Sequence, residues 1–178
     1  MFQLGIDVGK STLDLCLLRE GVKGRIKTRR IKNDAHATAT VITWLNKQNC
    51  PPGQTHVIME STGVYHEPLS YGLYNLGVNV SLANPHRNRE FARGMDIITK
   101  NDKIDAYVLA CYGALKKPEP WIPPAEEIRY LRALIRRRDT LVADTTREKN
   151  RLEKSSATHT PSDVMVSIEN MLRRLKDE

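Results

Sequence analysis

Short apolar runs broken by turn residues open the chain. Residues 2–7, 12–19 and 25–32 each read as a strand, and Glu20-Gly21-Val22-Lys23-Gly24 supplies the glycines of a hairpin turn. From Asn33-Asp34 the period changes. Val41, Ile42 and Leu45 recur at helical spacing between Ala35 and Gln48, and Pro51-Pro52-Gly53 stops that helix. A buried strand is predicted at 56–60, a turn at Ser61-Thr62-Gly63, and a helix from His66 to Leu76 ended by Gly77. Residues 78–82 alternate as a strand closed by Asn84-Pro85. A short basic helix is expected from His86 to Arg93, and another from about Asp102 to Leu115. The order is β-β-β-α-β-α-β-α: an antiparallel meander followed by α/β crossovers, with helices covering the sheet faces. This is a mixed α/β sheet in the RNase H-like order.

The pattern then shifts. Residues 118–125 read as a stiff, proline-rich linker with Trp121 as its packing anchor. From Glu126 to about Lys154 a long helix carries Ile128, Leu131, Leu134, Ile135, Leu141, Val142 and Leu152 near heptad spacing. Arg138, Thr145 and Lys149 interrupt that stripe, so a perfect coiled coil is not expected. Ser162-Asp163 is expected to cap a last helix with Ile168, Met171, Leu172 and Leu175 on one face. The expected division is a first domain at 1–117, a linker at 118–125, and a helical region at 126–178 whose exposed apolar stripes suggest a dimer or tetramer. The last helix carries an apolar face without a partner, so the chain is expected to be the N-terminal part of a longer protein.

Composition narrows the class. At 178 residues with 40% hydrophobic positions, the chain supports a compact core and no bilayer span. No signal-peptide pattern opens it. Cys16, Cys50 and Cys111 lack any C-x-x-C spacing and read as buried thiols of a reducing compartment. An excess of 28 Lys+Arg over 21 Asp+Glu gives +7, which favours a polyanionic partner. The densest basic run includes Arg25, Lys27, Arg29 and Arg30. Arg87, Arg89 and Arg93 form a second group, Lys10, Lys100 and Lys103 lie beside acidic positions, and Arg136, Arg137 and Arg138 sit on the long helix. All are candidates for nucleic-acid contact, although a charge run is also what any solvated face carries.

The sharper signal is acidic. Asp7 and Glu60 each end an apolar strand, and Asp102 and Asp105 share one face of a helix. Each alone has a plain explanation, such as a helix cap or a surface charge. Together, on these elements, they form a catalytic and metal-ligating set for two divalent cations, with Mg²⁺ or Mn²⁺ suited to hard oxygen ligands. Asp7, on the central strand, is the bridging position. Gly5-Ile6-Asp7-Val8-Gly9-Lys10-Ser11-Thr12 is not a P-loop, because three residues rather than four precede Gly9-Lys10. A sugar-kinase-like ATPase would need a second phosphate loop, which is missing. His66 and His86 read as surface or strand-end positions, and Ser61 and Thr62 as turn residues.

Gly5-Ile6-Asp7-Val8-Gly9-Lys10, Glu60-Ser61-Thr62-Gly63-Val64-Tyr65, Asn84-Pro85 and Lys100-Asn101-Asp102-Lys103-Ile104-Asp105-Ala106 resemble the DEDD transposases of bacterial insertion sequences. That family includes the pilin-gene invertases and the bridge-RNA-guided recombinases. The resemblance implies a Mg²⁺-dependent, RuvC-like domain in a prokaryotic, cytoplasmic enzyme that recombines DNA, in some members with a structured guide RNA. It places the acidic tetrad on Asp7, Glu60, Asp102 and Asp105. In the family a domain with a serine nucleophile follows, and no segment here corresponds to it. Two other readings remain at this point: a stand-alone nuclease of the Holliday-junction-resolvase type, and an inert nucleic-acid-binding dimerisation module.

Overall fold

A computed structural model describes residues 1–61, 63–97 and 101–178. Thr62 and the candidate phosphate contact Lys100 lie outside them. The chain forms two compact units, Met1–Pro123 and Pro124–Glu178.

The first unit is built on five strands: β1 (Phe2–Val8), β2 (Thr12–Leu18), β3 (Ile26–Lys32), β4 (Thr55–Glu60) and β5 (Asn79–Ala83). Their spatial order is β3-β2-β1-β4-β5, which puts β1 at the centre. β1 runs antiparallel to β2 and parallel to β4, and β5 extends the parallel half. This mixed sheet is the RNase H-like arrangement that the element order predicts. Among the described residues four α-helices accompany it: α1 (Ala37–Lys47), α2 (Glu67–Asn75), α3 (Pro85–Gly94) and α4 (Asp102–Lys116).

Period-two alternation assigns the two faces. Leu4, Ile6, Leu13, Leu15, Leu17, Val57, Met59 and Val80 meet Val41, Trp44 and Leu45 of α1 and Leu69 and Leu73 of α2 in the main core. Each fully buried aliphatic side chain there contributes about 2 kcal/mol. The alternate residues face α4. Ile58 and Ala83 pack on Leu109, and Leu18 packs on Ala110 and Cys111.

Two glycines set the depth of α4. A β-carbon on Gly5 would overlap the Ala106 carbonyl oxygen and the Ala110 nitrogen, and one on Gly113 would overlap Ile58. The helix backbone therefore lies directly on β1, with Gly113 beside Gln3 and Ala106 beside Gly5. This direction carries the first turn of α4 to the end of β1 where Asp7 stands. Asn101 caps α4, its side chain accepting from Ile104 N–H at 2.9 Å.

The proline-rich stretch begins against the edge of this sheet. Trp121 N–H donates to Val80 C=O at 2.7 Å, and Ser81 Oγ donates to Glu119 C=O at 2.6 Å. The Trp121 ring stands edge-on to Tyr71 and Tyr74, with centroids 5.0 and 6.0 Å away. Buried His56 Nε2 lies 2.8 Å from Ser81 Oγ, and burial lowers its pKa, so it is held neutral.

The second unit is a helical hairpin of α5 (Glu126–Ser156) and α6 (Ser162–Asp177). No α5 residue is buried, and Ile128, Leu131, Leu134, Ile135 and Val142 are exposed. The expected cap at Ser162-Asp163 is corrected. Pro161 holds the N-cap position without a side-chain bond, and Ser162 and Asp163 already lie in the first turn. Proline's fixed φ and missing N–H suit it to a helix entrance. Among the described residues no helix is long and apolar enough to cross a membrane.

Candidate active site

The end of β1 gathers carboxylates from four elements. Asp7 lies two residues beyond Gly5 on the α4 side of the sheet, half-buried. Asp102 and Asp105 come from the first turn of α4, and Glu60 from the end of β4. Their convergence registers on Asp7, whose pKa is pushed up to about 6. Burial is the main cause, followed by the negative charge of Asp105, Asp102, Asp14 and Glu60. The structure thus brings all four sequence-assigned acids into one electrostatic neighbourhood. It also answers the helix-cap alternative for Asp102, because Asn101 is the cap.

A fifth acid, Asp14, belongs to the cluster. It is the register partner of Asp7 across the β1–β2 ladder, and it is buried. Burying a carboxylate requires a partner, and Arg30, its register partner on β3, provides one. Arg30 Nε lies 3.0 and 2.9 Å from the two Asp14 oxygens, and one terminal nitrogen lies 2.7 Å from Asp14 Oδ2. That terminal nitrogen is also 2.7 Å from Asp102 Oδ2. One guanidinium therefore spans an acid of the sheet and an acid of the helix.

Glu60 is held by α3. Asn84 caps that helix by accepting from the N–H groups of His86 and Arg87. One turn on, buried Asn88 donates from Nδ2 to Glu60 Oε2 at 3.2 Å. Its Oδ1 is buried with no hydrogen-bond partner among the described residues. On the other side, Asn33 Nδ2 donates to Gly9 C=O at 2.9 Å and Tyr65 C=O at 3.1 Å, tying the β1–β2 turn to the loop after β4.

The donor set fits a hard divalent cation in its chemistry. It consists of carboxylates, a buried amide oxygen lacks a partner beside one of them, and Asp7 carries charge repulsion that a cation would relieve. Among the described residues, however, no three carboxylate, imidazole or thiol groups stand close enough to share an ion as they are. With Asp102 turned onto Arg30, bringing the set together requires side-chain movement.

The basic candidates divide. Lys27 and Arg29 face the α1 side of the sheet, opposite the acids, because they pair with Leu17 and Leu15 of the main core. Arg30 lies on the α4 side, and Arg25 precedes the strand. Lys10 is exposed in the β1–β2 turn, and Lys103 is exposed in the first turn of α4. Arg87, Arg89 and Arg93 are exposed on α3, Arg93 pairing with Glu90 at 2.9 Å. Arg136, Arg137 and Arg138 belong to the second unit, where Arg137 pairs with Glu178 and Arg138 with Asp139.

One histidine reading is corrected. His66 is buried at the N-cap of α2, and burial lowers its pKa. Asp14 and Asn88 carry no sequence assignment. Asp14 was detectable as an acid inside the apolar run Leu13-Asp14-Leu15-Cys16, placed opposite Asp7 by the hairpin register. Asn88 offered no such signal.

Comparison with known proteins supplies the family. A family model of DEDD transposases of the IS110 type, described as a transposase, matches residues 4–156. The pilin gene-inverting proteins of Moraxella lacunata and Moraxella bovis are each 29% identical over 150 residues, covering 84% of this chain and 46% of theirs. The chain thus spans a little under half the length of these relatives. Two solved structures of Thermus thermophilus RuvC, one of them in complex with a Holliday junction substrate, align at 18% and 15% identity. Each has a TM-score of 0.46 and covers 68% of this chain and 100% of its own.

Proposed function

Given that the chain belongs to the DEDD transposases of the IS110 type, we propose that it is the RuvC-like catalytic portion of a DNA transposase or site-specific invertase. The observation that carries this is the crowding of Asp7 by four other carboxylates at the end of the central strand. A protein with no use for the cluster would lose its repulsion by replacing one acid with an amide. In this reading Asp7, Glu60, Asp102 and Asp105 hold Mg²⁺ or Mn²⁺. The bound ion supplies Lewis-acid stabilisation of charge on a scissile phosphate.

The chain's own residues do the rest. Asp7 is the central ligand, placed between the α4 acids and Glu60. Asn88 fixes the Glu60 carboxylate. Gly5 and Gly113 hold α4 close enough for Asp105 to reach the sheet. Lys10, Lys103, Arg87, Arg89 and Arg93 contact backbone phosphates of DNA, with or without a structured guide RNA. The exposed apolar residues of α5 join subunits into a dimer or tetramer, which light scattering tests, and monomers at high concentration would remove that element.

The activity test is strand cleavage. DNA incubated with the chain in Mn²⁺ should be nicked, and EDTA or Asp105→Asn should abolish nicking. Equal nicking by Asp105→Asn and wild type would show that the acids are not the catalytic groups.

A further inference from the structure

We propose that Arg30 is an exchangeable place-holder in the acidic cluster: its contact with Asp102 occupies a metal-ligand oxygen until DNA draws the guanidinium onto a phosphate. This rests on the metal-site reading above. It assigns Arg30 a role in coupling substrate and cation.

The two contacts of Arg30 differ in kind. Toward Asp14 the guanidinium presents Nε and a terminal nitrogen to both oxygens of a buried carboxylate, whose side chain is 5% exposed. That forked arrangement on a buried carboxylate is the strong form of the pair. Toward Asp102 a single terminal nitrogen meets a carboxylate whose side chain is 60% exposed. Exposed pairs of that kind exchange readily. Asp14 is therefore the anchor, and Asp102 is the arm that lets go.

Arginine keeps its charge at every accessible pH, so Arg30 competes with a cation for Asp102 until another anion takes up the guanidinium. It sits on the edge strand β3 with its side chain 52% exposed, where a DNA backbone can approach. A phosphate there satisfies the donors released by Asp102, and Asp102 becomes available to a cation. Coupling of this kind is reciprocal: DNA tightens the cation, and the cation tightens DNA. The protein without DNA then holds Asp14 and Asp102, two of the cluster's five acids, paired with its own arginine.

The test is Mn²⁺ titration by calorimetry, with and without a short nonspecific DNA duplex, on the wild type, Arg30→Lys, and the double variant Asp14→Asn with Arg30→Gln. The double variant removes the buried pair together, so no unpaired buried charge is left to unfold the domain. DNA should tighten Mn²⁺ binding to the wild type about fivefold, the worth of a favourable exposed pair. Without DNA the double variant should bind Mn²⁺ about fivefold more tightly than the wild type, and DNA should add little. Arg30→Lys, which keeps the charge but loses the fork, should fall between.

Mn²⁺ binding by the wild type with no DNA dependence, or a double variant that keeps the wild-type DNA dependence, would overturn the place-holder. Absence of Mn²⁺ binding in every protein, with and without DNA, would instead remove the metal reading beneath it.

Discussion

Replacing Asp7 with Asn should stabilise the metal-free protein. Burial and the neighbouring carboxylates push the Asp7 carboxyl up to about 6 in the folded state, against an ordinary value of 3.8. At pH 8 that difference corresponds to a penalty of about 3 kcal/mol, at 1.36 kcal/mol per unit. Partial solvent screening of a half-buried group brings the expected gain to about 2 kcal/mol. The sign is fixed by linkage. A folded pKa above the unfolded value contributes stability that is complete below the unfolded pKa and is lost as pH rises through the folded one. The advantage of Asp7→Asn should therefore be full at pH 8, still about nine-tenths at pH 6, about half near pH 5 and about a fifth at pH 4. For a domain of this size, 2 kcal/mol moves the melting temperature by roughly 6 °C. The assay is thermal unfolding in EDTA at low ionic strength across that pH range, then again with Mg²⁺. Added Mg²⁺ should raise the wild type and leave the variant unchanged. A variant less stable than wild type at pH 8 in EDTA, or a difference that ignores pH, would refute the account of Asp7 as an uncompensated charge.

Other substitutions probe the scaffold. Gly5→Ala forces α4 off β1 and should cost about 3 kcal/mol or more by urea denaturation, as overpacking does at its severe end. Asn101→Ala removes the α4 cap and should cost about 1 kcal/mol, equally in EDTA and in Mg²⁺ if the cap is its main role. Trp121→Ala removes two edge-on ring contacts and should cost about 2 kcal/mol, read from guanidinium unfolding followed by near-ultraviolet circular dichroism. Asn88→Ala frees Glu60 from its amide and should weaken Mn²⁺ binding severalfold, with a stability loss of about 1 kcal/mol. Unchanged Mn²⁺ affinity would place Asn88 outside the ligand shell.

Much of the first unit is readable from the sequence because its signals are local. Alternating Leu-x-Leu-x-Leu in β2, the apolar run ending in Glu60 and the Asn101 start of α4 each mark their own element. The site's supporting groups are not local. Asp14 looks like an ordinary strand acid until the hairpin register sets it against Asp7. The basic run from Arg25 to Lys32 looks like one surface, yet strand alternation sends Lys27 and Arg29 one way and Arg30 the other. His66 is hidden by packing that no neighbouring residue announces. The proline stretch reads as a spacer from its composition, while Trp121 finds Tyr71 and Tyr74 through tertiary contact.

The notch that Gly5 and Gly113 cut for α4 has a consequence in time as well as space. The β1–β2–β3 meander closes through short loops as soon as it leaves the ribosome, but α4 meets β1 across a separation of about 100 residues. During synthesis, at roughly 5–20 residues per second, Asp7, Asp14 and Arg30 emerge several seconds before Asp102 and Asp105. Until then the nascent chain holds a partial acid set, with Arg30 already available to Asp14. The cluster becomes whole only when the helix seats in its glycine notch, so a late long-range docking step of the first unit is also the step that completes the acid set.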